Sequence, residues 1–269
     1  MKKIIKNSIN GIGNILGFDI MLLRKQKAQF CNEVRVNIGA GDWERSGWIN
    51  LDYPNENYAK VQKKHPFIAY DIRNDKLPFE DSSIGAAYCS HVIEHIEDTY
   101  VKTLFEECYR ALNSGGGVLR IACPDAEFLY NVSKIGKGFW EWRRPWFEAR
   151  GLSFDTINPV ECLTREIATP KVRGAGWMEC KENYEKEFLT MSMNEFLQFM
   201  CKDIPYNSKH TNDHINYWTF DKMAEYLRQA GFKKVIRSKY GASSYYEMQN
   251  RAAFDTTHPE MSLYVEAVK

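Results

Sequence analysis

The chain has 269 residues, 44% of them apolar and 26% charged, with a net charge of +1. These are the proportions of an ordinary globular protein, and the near-neutral balance excludes a general electrostatic pull toward nucleic acid. Seven cysteines with no Cys-x-x-Cys spacing exclude a disulfide framework or a structural zinc cluster and point to a reducing cytoplasm.

Residues 1–30 read as a basic amphipathic arm. Lys2, Lys3, Lys6, Arg24, Lys25 and Lys27 face a single acid, Asp19, and Ile5, Ile9, Ile12, Leu16 and Ile20 recur at roughly helical spacing. Asn7, Ser8, Asn10 and Asn14 interrupt any apolar core, so the arm is neither a signal peptide nor the run of ~20 apolar residues that a stable membrane span requires. Gly11-Ile12-Gly13 follows no strand and is not read as a ligand motif.

An α/β rhythm then begins. Val34, Val36 and Ile38 mark a strand broken at once by Gly39-Ala40-Gly41. Trp48-Ile49-Asn50-Leu51-Asp52 is a second strand with an acid at its tip, placed to accept hydrogen bonds from two ribose hydroxyls. Phe67–Asp71 reads as a third strand and Ile84–Cys89 as a fourth, followed by Ser90-His91-Val92-Ile93-Glu94-His95. Val101, Leu104, Phe105, Cys108 and Leu112 form the apolar stripe of a helix, and Val118–Cys123 is a fifth, almost wholly apolar strand. Continuous apolar strands alternating with connections imply a parallel sheet covered on both faces.

Residues 126–212 lose the rhythm and are rich in aromatic and basic residues, with one helix expected through Phe188, Leu189, Phe196, Leu197 and Met200. A segment inserted after a strand's C-terminal end lies over the ligand crevice of such a sheet, so it reads equally as an acceptor lid or as an aromatic minicore. Residues 213–269 are regular again. Thr219 caps a helix ending at Gly231, and Lys234–Ser238 and Ser262–Val268 are the sixth and seventh strands.

A dinucleotide site needs a third glycine opening a full helix and an acid ~20 residues on. Here the third glycine is missing, and only Asp42–Gly47 separates the turn from the second strand. A pyrophosphate would lack its helix N-terminus, so a ligand with a ribose and an adenine but no phosphate fits better.

Taken together, Asn37-Ile38-Gly39-Ala40-Gly41, Gly47-Trp48-Ile49-Asn50-Leu51-Asp52, Leu77-Pro78-Phe79, Ser90–His95, Arg110-Ala111-Leu112, Pro124-Asp125 and Ala230-Gly231-Phe232 resemble the Rossmann-like S-adenosylmethionine-dependent methyltransferases. The likeness is greatest to the type-11 branch associated with bacterial surface-polysaccharide (capsule) biosynthesis, and it spans roughly residues 34–125 and 213–268. It implies a seven-stranded, mostly parallel sheet with the last strand antiparallel. It also implies a split core, 31–125 and 213–269, carrying the mainly helical insertion 126–212.

By the same resemblance, S-adenosyl-L-methionine would meet Asn37, Gly39, Ala40 and Gly41 at its methionine part. Asp52 and Tyr53 would lie at the ribose, Asp71 and Ile72 at the adenine, and Ser90 and His91 at the sulfonium, with Glu94 and His95 shaping that loop. The acceptor would be a small sugar, nucleotide-sugar or phosphorylated precursor methylated on oxygen. A hydroxyl acceptor benefits from a general base, for which His214 is the leading candidate and His91 the second. Arg143, Arg144, Arg165 and Arg173 are candidates for gripping a phosphate.

His91, Glu94 and His95 also spell the inverted zinc-peptidase signature, and His210 and His214 share the four-residue spacing. With the first pair starting at a strand end and no third ligand indicated, no metal is expected. Two other classes stay open: a nicotinamide-dependent oxidoreductase, and a cofactor-binding subunit that transfers nothing.

Overall fold

The computed structural model describes residues 33–55, 59–173 and 183–269. The N-terminal arm and Gly11-Ile12-Gly13 lie outside them. In chain order the elements are β1 (Val34–Ile38), β2 (Ile49–Asp52), α1 (Ala59–Gln62), β3 (Ile68–Ala69), β4 (Ile84–Ser90), α2 (Asp98–Ala111), β5 (Val118–Pro124), α3 (Ala126–Ile135), α4 (Arg144–Glu148), α5 (Pro159–Ile167), α6 (Thr169–Val172), α7 (Glu185–Thr190), α8 (Met193–Cys201), α9 (Phe220–Gln229), β6 (Lys234–Arg237) and β7 (Ser262–Val268). No helix among the described residues is long and apolar enough to cross a membrane.

The strands form one seven-stranded sheet in the order β3-β2-β1-β4-β5-β7-β6. All neighbours are parallel except that β7 runs antiparallel to both β5 and β6. This is the expected Rossmann-like architecture. The order reverses between β1 and β4, which puts a ligand crevice beyond their C-terminal ends. Val36, Ile38, Ala86, Ala87, Ile121 and Val265 are almost completely buried, and α2 covers one face with Val101, Leu104, Phe105 and Cys108.

Three elements differ from expectation. The third strand shrinks to Ile68–Ala69, an exposed pair at the sheet edge where only β2 offers hydrogen bonds. The fifth strand carries a buried charge. Arg120 is fully enclosed and forms a two-pronged ion pair with Asp255, a 3.1 Å pair with Glu266, and hydrogen bonds to the carbonyls of Lys239 and Ala242. A buried guanidinium is tolerated only with such complete pairing. The helix expected across Phe188–Met200 is broken into α7 and α8, because Ser192 caps α8 in a reciprocal pair with Glu195.

The insertion has its own apolar core, with Trp140, Phe147, Phe154, Phe188 and Phe196 buried against one another. This is the aromatic minicore the composition allowed. It is nonetheless tied to the sheet, and the described residues form one compact unit. Asp125 caps α3 by accepting from the Phe128 amide and pairs with Arg237 at 2.8 Å, fixing the chain as it leaves β5.

Candidate active site

The crevice over the strand tips holds a cavity of about 390 Å³, within the usual size range of small-ligand sites. Its floor is the turn after β1. Gly39 has φ of +72° and its amide donates to Leu51 O at 2.8 Å. A Cβ here would lie 2.3 Å from the Val92 side chain, so Gly39 is required by its protein neighbour. Gly41 has φ of +55° and its amide donates to Asp52 Oδ2 at 3.0 Å. Asp52 also accepts from the Tyr53 amide at 2.9 Å and from Gln62 Nε2 at 3.2 Å. These three bonds fix the carboxylate at the tip of β2, on the wall of the cavity.

No helix follows the glycine turn. Residues 42–47 form a compact turn whose side chains reach across to the C-terminal region. Trp43 packs on Trp48, Tyr88 and Phe254, and Arg35, Arg45 and Trp48 all converge on Glu247, at 2.6, 2.7 and 3.2 Å. Burial alone would raise the Glu247 carboxyl, but the hydrogen bonds from Arg45, Trp48 and Arg35 outweigh it and hold the group below its ordinary value. With no helix N-terminus at this turn, the anchor of a dinucleotide pyrophosphate is missing.

Gly39, Ala40, Gly41, Asp52, Tyr53, Asp71, Ile72, Ser90, His91 and His95 all line this cavity. Asn37 does not. It is 3% exposed, and its amide reaches Asn50 Oδ1 at 3.4 Å. Asp71 receives the Arg73 amide and Asn74 Nδ2, and so shapes the loop after β3. Motif reading missed the wall opposite the strand tips. Tyr206, Thr211 and Asn212 approach from the far end of the insertion, with Thr211 Oγ1 accepting from Asn55 Nδ2 at 2.8 Å and the Tyr206 ring lying 3.4 Å from the Arg73 guanidinium carbon. No periodicity or motif marks these residues.

A second cavity of about 380 Å³ lies under the insertion, lined by Arg143, Trp146, Phe147, Cys162, Arg165, Glu166, Thr169, His214 and His258. His91, His95, Asn212 and Thr257 line both cavities and mark their junction. The candidate phosphate-gripping arginines are all engaged with carboxylates: Arg143 with Glu166, Arg144 with Glu141 and Asp155, Arg165 with Glu161, and Arg173 with Asp213. Arg144 and Arg173 are not on the wall of this chamber, whereas Arg143 and Arg165 are.

The histidine cluster at the junction is assembled by backbone. After β4 the chain turns through His91, at φ of +54°, into a single turn of 3₁₀ helix, Ile93–His95. His91 and His95 therefore do not share the face of an α-helix. Glu94 O accepts from the amides of Ile215 and Asn216 at 2.9 and 3.1 Å, which docks the segment before α9 onto this turn. His214 is held from the insertion side as well, its amide donating to Thr169 Oγ1 and its carbonyl accepting from the Thr169 amide. The rings of His95 and His214 meet edge to face with centroids 4.7 Å apart. His95 Nδ1 lies 2.9 Å from Asp213 O and His214 Nδ1 lies 2.7 Å from Glu166 O. A carbonyl only accepts, so both rings are protonated on Nδ1 and keep their lone pair on Nε2.

Burial, with His214 next to it, pushes the His95 imidazole down to about 4. Burial lowers His214 as well. Glu94 is 1% exposed. Burial would raise its carboxyl, but His91, His95 and His214 around it hold it below the usual carboxylate range. His91 differs from its neighbours in having both nitrogens engaged. Nε2 lies 2.8 Å from Ser262 Oγ and Nδ1 lies 3.1 Å from Glu94 Oε1.

Residues 46–119, from the compact turn through β2, β4 and α2 into β5, match the family model described as a methyltransferase domain. Over this stretch the chain is similar to methyltransferase domains, and the activity so supported is that of an S-adenosylmethionine-dependent methyltransferase, with S-adenosylmethionine as cofactor. The matched stretch contains Asp52, Asp71, Ser90, His91 and His95, all of which line the first cavity.

Solved structures of similar architecture include an S-adenosylmethionine-dependent methyltransferase, possible histamine N-methyltransferase, from Thermotoga maritima (16% identity over 88% of this chain and 82% of that one, TM-score 0.41). Another is a methyltransferase from Mesorhizobium loti (17% identity, 88% and 90%, TM-score 0.40). A third comes from Archaeoglobus fulgidus (13% identity, 88% and 86%, TM-score 0.42). No curated protein matches the chain in sequence.

Proposed function

We propose that the methyltransferase moves its methyl group from cofactor in the first cavity to an oxygen of a small glycan-related acceptor in the second. The continuity of the two cavities through His91, His95, Asn212 and Thr257 carries this reading, because an in-line displacement needs donor and acceptor to meet at one point. Asp52 holds the ribose hydroxyls, Asp71 and Ile72 border the adenine, and the Gly39–Gly41 turn carries the methionine part. Asn37 positions that turn from beneath and has no contact with the cofactor.

His214 is the general base of the reading. It lines only the acceptor chamber, its Nδ1 is fixed by Glu166 O, and its Nε2 lone pair is the one left to take a hydroxyl proton. His91 fits less well, since its Nε2 is taken by Ser262 Oγ and its Nδ1 faces the Glu94 carboxylate. Methyl transfer otherwise needs mainly alignment and exclusion of water, which the inserted helices supply as the acceptor lid.

The sugar hydroxyl is the favoured acceptor group, because Glu166 and Glu161 already balance the arginine charges of the chamber. A phosphorylated or nucleotide-sugar acceptor finds support in Arg143 Nε and Arg165 Nη1, two buried donors with no partner among the described residues. A role in capsule assembly in the cytoplasm rests on the sequence resemblance. Incubation of the protein with labelled S-adenosylmethionine and a panel of sugars, sugar phosphates and nucleotide sugars tests the proposal. Label transfer to a sugar oxygen is expected. Transfer only to amines would overturn it, and cofactor binding with no S-adenosylhomocysteine across the panel would favour a non-catalytic subunit.

A further inference from the structure

We infer that Glu94, His95 and His214 form a binding site for one divalent transition-metal ion at the junction of the two cavities. One carboxylate oxygen of Glu94 and one imidazole nitrogen from each histidine lie within 4.8 Å of one another. Bonds of about 2.0–2.2 Å to one ion would draw these atoms closer together. Two histidines and a carboxylate are the donor set of hydrolytic zinc and of non-haem iron(II) sites.

The arrangement of outer partners makes this more than proximity. Both imidazoles donate Nδ1–H to a backbone carbonyl, Asp213 O for His95 and Glu166 O for His214. That is the support a metal-bound histidine ordinarily has, because it fixes the tautomer that offers Nε2 to the ion. Glu94 adds an independent observation. It is 1% exposed, yet neither carboxylate oxygen has a well-formed hydrogen bond among the described residues. His91 Nδ1 stands 3.1 Å from Oε1 as an ion-pair contact, and Oε2 has no partner. Leaving a buried carboxylate this poorly satisfied is costly, and a bound cation removes the cost.

Sequence reading indicated no metal because it found no third ligand beside the signature pair. The structure supplies a different trio, dropping His91 into a supporting position and bringing in His214 from 119 residues beyond His95. His210, its four-residue partner, stays exposed. Nitrogen-rich donors select Zn²⁺, Co²⁺ or Fe²⁺ over Mg²⁺ and Ca²⁺, which prefer oxygen. Ligation and proton capture use the same lone pair on His214, so an ion here silences the proposed base.

Equilibrium dialysis of the tag-free full chain against Zn²⁺, and against Co²⁺ with its visible absorption followed, tests the site without any turnover. Its outcome is therefore separate from that of the methyl-transfer reading. One ion per chain is expected, with affinity falling at least 100-fold in His95→Gln and His214→Gln and unchanged in His65→Gln and His210→Gln. Glu94→Gln should behave like the ligand variants. If it fails to fold, the more exposed His214→Gln carries the test, its integrity checked by S-adenosylmethionine binding. Absence of stoichiometric Zn²⁺ or Co²⁺ binding to the wild-type chain would overturn the inference, as would binding that survives His214→Gln.

Discussion

The chamber over the strand tips is made largely of backbone and loop geometry, whereas the chamber under the insertion is made of side chains gathered from distant parts of the chain. In the first, two left-handed glycines, the amides of Gly41 and Tyr53, and one strand-tip carboxylate define the site within 15 residues of sequence. In the second, Arg143 and Cys162 come from the insertion, His214 from the segment before α9, and His258 from the approach to β7. The difference separates two tasks. On the proposed function, a fixed cofactor is met by elements that the fold itself dictates, and a particular acceptor by residues free to vary without disturbing the sheet.

If the two chambers are functionally distinct, variants should split them. His214→Gln should lower kcat by about 10³, roughly 4 kcal/mol of barrier, while leaving the S-adenosylmethionine Kd within about twofold. Steady-state kinetics beside calorimetry would show it, and an equal loss in both would merge the chambers. Gly39→Ala should cost about 3 kcal/mol of stability through left-handed strain and collision with Val92. Denaturant unfolding should show part of this recovered in the Gly39→Ala, Val92→Ala double variant. Asp52→Ala should weaken cofactor binding about 30- to 100-fold, or roughly 2–3 kcal/mol, with acceptor affinity in the second chamber untouched.

The smallest effect sharpens the boundary of the first chamber. Glu247→Gln should cost about 1 kcal/mol by loosening Arg35, Arg45 and Trp48 around the compact turn. Because the folded Glu247 carboxyl is held below 4.5, its contribution is present above that pH and fades as pH falls through the lowered folded value. Thermal melts from pH 7 to pH 3 should therefore show a shallower acid loss in Glu247→Gln than in the wild type.

The contrast between the chambers also explains what could be read from sequence. The sheet was legible because β-branched runs and glycine breaks are local, and the place of Asp52 at the tip of β2 was legible because a strand's last residue has only one place to be. Asn37 is absent from the cavity wall, because strand alternation says which face a side chain takes, not that a neighbouring asparagine, Asn50, will bond it there. The break between α7 and α8 was written in Ser192 and Glu195, a capping signal masked by the apolar stripe on either side. Tyr206, Thr211 and Thr257 line the site through tertiary packing alone. His214 was singled out as a base, but its place beside Glu94 depends on a 121-residue contact between backbone groups that no local pattern encodes.

Arg120 gives the fold a timetable. Its carboxylate partners, Asp255 and Glu266, lie 135 and 146 residues further along the chain. Until they arrive, the middle of β5 cannot be enclosed without stranding a charge. During synthesis, then, β1, β4 and β5 have an arginine that keeps their sheet from sealing before the last strand pair is made. The first chamber stands at the end of those strands, so it is completed only when β7 closes the sheet. Pulse-labelled hydrogen exchange should find β5 and β7 acquiring protection together.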